Sequence, residues 1–137
     1  MIVKDCRKLK KNLPEHSLSS GEYYKDSPLA INGCSNYKTA QFTKEHIWFN
    51  GYNPNDENDD LGHETFVMSR EGSNGFAFCK TTRKPYDLMV QACLLIYKYY
   101  SPKTIDLGSD GDAEDWKVAV DFVNDTLGMS INNPFKS

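Results

Sequence analysis

Pro85-Tyr86-Asp87-Leu88-Met89-Val90-Gln91-Ala92-Cys93-Leu94-Leu95-Ile96-Tyr97-Lys98-Tyr99-Tyr100 is the stretch from which the fold can be read. Its apolar residues neither alternate nor keep to one stripe. They occupy almost every side of a helical period, so the spacing predicts a helix over about 86–100 that is central and buried on most sides. Pro85 suits a first helical turn, where a missing N–H costs nothing. Asp87 favours the positive end of the helix dipole, and Ser101-Pro102 stops the helix. The segment is too short and too closely flanked by charge to span a bilayer.

Working outward, two short alternating runs precede this helix. Phe66 and Met68 alternate with Thr65, Val67 and Ser69, and Phe76 and Phe78 alternate with Ala77 and Cys79. Glu71-Gly72-Ser73-Asn74-Gly75 between them is a turn signal, so a β-hairpin is expected over about 65–81. After the helix, Thr104 to Leu107 reads as a short strand. Asp112 is a plausible N-cap for a last helix over about 113–127, ended by Gly128. Trp116, Ala119, Val120, Val123 and Leu127 form its inward stripe.

At the other end, Val3, Cys6, Leu9 and Leu13 recur at helical spacing, which predicts an amphipathic helix from residue 2 to about 12, ended by Pro14. Residues 1–37 are otherwise partly irregular. Thr39 to Phe49 reads as extended, most strongly at His46-Ile47-Trp48-Phe49, and Asn50 to Gly62 as a polar loop. Residues 129–137 are expected to form a loose tail. The fold class is α+β: one domain over 1–137, a small mainly antiparallel sheet with helices packed on it.

A chain of 137 residues suits one core, and 39% hydrophobic and 26% charged residues are ordinary for a globular domain. The formal net charge of -3 argues against a general nucleic-acid binder. The charge is uneven. Lys4, Arg7, Lys8, Lys10 and Lys11 make the N-terminus basic, Lys80, Arg83 and Lys84 form a second basic cluster, and Asp106 to Asp125 is acidic. This is either an ordinary solvated face or a polarised surface for a charged partner. Cys6, Cys34, Cys79 and Cys93 have no metal-binding or redox spacing, and Cys79 and Cys93 read as buried free thiols. No signal peptide or membrane span is visible, which points to a reducing cytoplasm. The sequon Asn124-Asp125-Thr126 falls inside the expected last helix and is set aside.

The candidate chemistry is sparse. His63 and Glu64, in Gly62-His63-Glu64-Thr65, are weak candidates for acid–base work. The Cys-x-x-Cys that a zinc deaminase would need downstream is missing. Lys80, Thr81, Arg83 and Lys84 lead into a helix N-terminus, an arrangement that attracts anions or an acidic partner. Asp110, Asp112 and Glu114 read first as helix-capping residues and second as weak ligands for a divalent metal. No cofactor is expected.

Gly62-His63-Glu64-Thr65-Phe66, Phe76-Ala77-Phe78-Cys79-Lys80-Thr81, Lys84-Pro85-Tyr86-Asp87 and Ser109-Asp110-Gly111-Asp112 with Trp116 resemble a group of small uncharacterised proteins from tailed bacteriophages and prophages. The resemblance covers about residues 62–128. It implies action in an infected bacterial cytoplasm and, by analogy, binding of a host or phage protein, including inhibition of a host defence system. Three readings follow. The first is a non-enzymatic accessory protein with Lys80, Arg83 and Lys84 or the acidic edge Asp110 to Asp115 at its contact surface. The second is an enzyme or binder of a phosphorylated small molecule or nucleic acid, using His63, Lys80, Lys84, Asp110 and Asp112, with or without a divalent metal. The third is a self-associating virion or assembly component.

Overall fold

The computed structural model describes residues 2–16, 29–32, 40–43, 46–52, 61, 66–69, 76–77, 85–100, 106–107 and 113–133; at several strand positions and in the first turn of the last helix it describes the backbone alone. The elements are α1 (Ile2–Lys11), β1 (Ile31–Asn32), β2 (Gln41–Phe42), β3 (His46–Gly51), β4 (Phe66–Ser69), β5 (Phe76–Ala77), α2 (Asp87–Tyr100), β6 (Asp106–Leu107) and α3 (Ala113–Leu127). The class is α+β, as the sequence reading has it.

Helix α2 is the centre. All nine residues from Leu88 to Ile96 are buried, including the polar Gln91. Its start is set by local chemistry: Leu88 donates its backbone N–H to the Pro85 carbonyl (3.3 Å), and Met89 donates to that of Tyr86 (2.9 Å). Asp87 stands in the first turn and Lys98 in the last, each matching the nearer end of the helix dipole. Helices α1 and α3 pack against α2 and against each other. Helix α1 supplies Cys6 and Leu9, both fully buried, and α3 supplies Trp116, Ala119, Val120 and Val123.

Strand β3 organises the sheet. It pairs antiparallel with β4 (His46 opposite Ser69, Phe49 opposite Phe66) and with β2 (Gln41 opposite Trp48, Phe42 opposite Ile47). A strand has two edges, so β2 and β4 flank Ile47 and Trp48 on opposite sides. Strand β1 pairs antiparallel with the end of β3, with Ile31 opposite Gly51. Phe42, Phe49 and Phe66 form an aromatic cluster, with ring centroids 5.9 and 5.2 Å apart. Gly51 sits where the sheet meets α2. A Cβ there would lie 2.3 Å from the Leu61 carbonyl oxygen and 2.5 Å from the Tyr86 ring, so only glycine lets that buried ring approach.

The hairpin expected over 65–81 is corrected. Among the described residues β4 and β5 are not partners: β4 pairs with β3, while β5 pairs parallel with β6, Phe76 opposite Asp106 and Ala77 opposite Leu107. Parallel strands need a long crossover, and α2 supplies it, making β5–α2–β6 a βαβ unit. The physical reason is burial. Pairing with β3 sets Phe66 against Phe49 over the core, a gain that local turn chemistry cannot register.

The loose tail is corrected in part. Gly128 adopts φ of 64° and the Met129 N–H bonds the Asn124 carbonyl (3.2 Å), a Schellman ending of α3. The Asn124 side chain then grips Ile131 twice, accepting from its N–H (2.8 Å) and donating to its carbonyl (3.1 Å). Met129 and Ile131 pack against the core. The Asn124 amide and the packing of Met129 and Ile131 therefore fix residues 129–131 of the segment that composition reads as loose.

Candidate functional site

His63, Glu64, Lys80, Thr81, Arg83, Lys84, Asp110 and Asp112 lie outside the described residues; Glu114 is described as backbone in the first turn of α3. Cys79 is outside them as well. The strands leading to two of these clusters are described. Strands β5 and β6 run parallel with Ala77 opposite Leu107. Lys80 follows Ala77 by three positions in sequence, as Asp110 follows Leu107. Among the described residues no group of three or more His, Cys, Asp or Glu side chains could hold a metal ion. No helix among them is long and apolar enough to cross a membrane.

The best-defined functional surface is on α1. Lys4, Arg7, Lys8 and Lys11 are all exposed and fall at i, i+3, i+4 and i+7, one side of a helix. Cys6 and Leu9 occupy the opposite side and lock into the core. The one acidic residue of α1, Asp5, accepts a 2.5 Å hydrogen bond from the Tyr100 hydroxyl, and its single carboxylate leaves the four cations of the stripe in excess. That bond is the chief reason the Tyr100 phenol is pushed up to about 12, with desolvation and the Asp5 charge adding to it.

Arg7 anchors α1 to the sheet. Its Nε and Nη2 both donate to the Phe42 carbonyl, at 2.9 and 2.6 Å, so the guanidinium ties α1 to β2 while its charge stays at the surface. At the end of α1, Asn12 Nδ2 donates to the Lys8 carbonyl at 2.8 Å, satisfying one of the orphan acceptors of the last turn. Three fixings therefore hold the cationic side rigid: the buried Cys6 and Leu9, the Arg7 fork and the Asp5–Tyr100 bond.

Tyr99 is the most exposed large hydrophobic residue among the described ones, at 54%, and its ring meets that of Tyr100 edge-on at 5.1 Å. An exposed aromatic thus stands one ring away from the bond that holds α1. On α3, Lys117, Asp121 and Asp125 are exposed, so the described outward side of this helix carries two carboxylates and one cation. Beneath the surface, the Cys93 thiol is pushed well up, first by burial and then by its hydrogen bond with Cys6. Both are free and buried, and Cys93 with its raised pKa is not a thiolate nucleophile at neutral pH.

The sequence reading noted both the basic N-terminus and the amphipathic helix, but it put the binding residues elsewhere. The signal that joins the two is the phase of the cations. Lys4, Arg7, Lys8 and Lys11 fill the positions that the buried stripe leaves open. No protein-family model, curated protein or solved structure matches this chain.

Proposed function

We propose that this chain is a small phage or prophage accessory protein that acts by binding a host or phage protein, with inhibition of a host defence system as its biological use. The supporting observation is the cationic side of α1, which carries Lys4, Arg7, Lys8 and Lys11, with Asp121 and Asp125 exposed on the neighbouring α3. Charged side chains on helices fixed to one core give a partner a preformed, electrostatically complementary target. The resemblance read in residues 62–128 would set that action in the cytoplasm of an infected bacterium. Lys80, Arg83 and Lys84 would extend such a surface if they share it.

Affinity capture of the tagged protein from infected bacteria, followed by mass spectrometry of proteins and small molecules, tests this reading. One stoichiometric protein partner is the expected outcome. A co-purifying nucleotide or metal with no protein partner would overturn it.

A second reading, a protein that binds or acts on a phosphorylated small molecule with or without a divalent metal, draws support from one observation. Strands β5 and β6 are parallel and in register, and ligands of α/β units gather beyond the carboxyl ends of parallel strands. The residues that would serve it are Lys80, Lys84, Asp110 and Asp112, together with His63. Binding of a nucleotide by the purified chain, lost in Lys80→Ala and retained in Lys8→Glu, would favour it.

A further inference from the structure

We infer that the exposed side of α1, formed by Lys4, Arg7, Lys8 and Lys11 and bordered by Tyr99, is the docking surface for an acidic helical segment of a partner protein. The inference rests on the protein-binding reading above and names the surface and the chemistry of the partner.

Spacing comes first. From Lys4 to Lys11 the stripe spans eight residues, seven steps of the helix, so it runs about 10 Å, two turns. Carboxylates at i, i+4 and i+7 on a facing helix repeat at the same rise and can meet Lys4, Lys8 and Lys11 one for one. Among the described residues no carboxylate pairs with Lys4, Arg7, Lys8 or Lys11, and Asp5 is held by Tyr100. Arg7 offers its remaining guanidinium edge, and Arg and Tyr are residues enriched where interfaces gain their energy.

Competing anions fit less well. Stable anchoring to a lipid surface takes apolar insertion beside the cations, but Cys6 and Leu9 are 0% exposed and committed to the core. A nucleic acid carries charge continuously beyond any patch of this length. Helix α3 packs beside α1 and turns Asp121 and Asp125 outward, and the chain as a whole carries a net charge of -3. A long polyanion would meet that repulsion, whereas a two-turn acidic segment need not.

The test uses a fluorescein-labelled helical peptide of about 14 residues with Glu at i, i+4, i+7 and i+11. Its binding to the full chain is followed by fluorescence anisotropy at low salt. A DNA duplex of about 20 base pairs and phosphatidylserine–phosphatidylcholine vesicles are the other two arms. Saturable peptide binding is expected, weakened about tenfold or more in Lys4→Glu/Lys8→Glu/Lys11→Glu and several-fold in Tyr99→Ala, with the thermal midpoint unchanged. Arg7 is left intact because it also holds β2.

If the triple reversal fails to fold, Lys4→Gln/Lys8→Gln/Lys11→Gln serves in its place and should show the same direction of change. Equal binding by wild type and variant, tighter binding of duplex or vesicle than of peptide, or no peptide binding would each overturn the inference. Capture of the natural partner by the triple variant at wild-type yield would remove this surface and leave the protein-binding function standing. Failure of both wild-type capture and peptide binding would remove both.

Discussion

Helices α1 and α2 lie against each other, yet α2 is buried all round from Leu88 to Ile96 and α1 on a single side. In α2 the run from Leu88 to Ile96 gives every side of the helix to the core. In α1 Cys6 and Leu9 are fully buried, Ile2 and Val3 pack partly against the core, and four cations face outward. A central helix organises its neighbours and has little surface left to present. A peripheral helix can be held by a narrow apolar stripe and a few polar ties, which frees its other side for recognition. Scaffold and surface are thus divided between two helices that meet along one seam.

Truncation on different sides of α2 puts that contrast under the greatest strain. Met89 and Leu95 are six positions apart, so they point in different directions, and both are buried. Met89→Ala and Leu95→Ala should each cost about 2–5 kcal/mol in urea unfolding. Tolerance at either one would mean that α2 has a free side and is no more central than α1.

Gly51→Ala tests the junction between α2 and the sheet. The new methyl would press on the Leu61 carbonyl and the Tyr86 ring, neither of which has room to retreat. A loss of about 1–3 kcal/mol is expected, with the chain still folding. An unchanged midpoint would show that the sheet can slide under α2.

The smallest effect concerns the seam itself. Tyr100→Phe removes the bond to Asp5 and should cost about 0.5–1 kcal/mol, a modest figure because water reaches the pair. It should also change the response to alkali. Tyr100 titrates near 12 when folded against an ordinary value of 10.0, so the folded chain keeps the proton longer than the unfolded one. The stability this supplies is intact below about pH 10 and is lost as pH rises through about 12. Equilibrium unfolding across that window should fall more steeply for wild type than for Tyr100→Phe. Identical slopes would mean that the bond does not couple the helices.

Legibility in the sequence followed the range of the interactions. The helices α1, α2 and α3 could all be read from Cys6 and Leu9, from the run Leu88 to Ile96, and from the stripe beginning at Trp116, because helical spacing is local. The ending at Gly128 was equally readable, since it depends on one residue's φ. The partners of Phe66 and Phe76 were not. The turn-like Glu71 to Gly75 suggested a local hairpin, while the actual pairings join residues about twenty to thirty positions apart. The docking of Ile131 by Asn124 was hidden too, because a lone amide in a helix gives no sign of its partner. The candidate surface was half legible: the cations were evident, but only burial of Cys6 and Leu9 tells which way they point.

By itself the sequence determined the α+β class, three helices with their phases, a central apolar helix and an uneven distribution of charge. All of these follow from side-chain type and short-range spacing. Only the tertiary structure decided that β3 takes β4, that β5 and β6 run parallel around α2, and that Arg7, Asp5 and Tyr100 fix α1 with its cations outward. Those choices depend on contacts between distant residues, where burial of Phe49, Phe66 and Tyr86 in one core outweighs the local preference of any single turn.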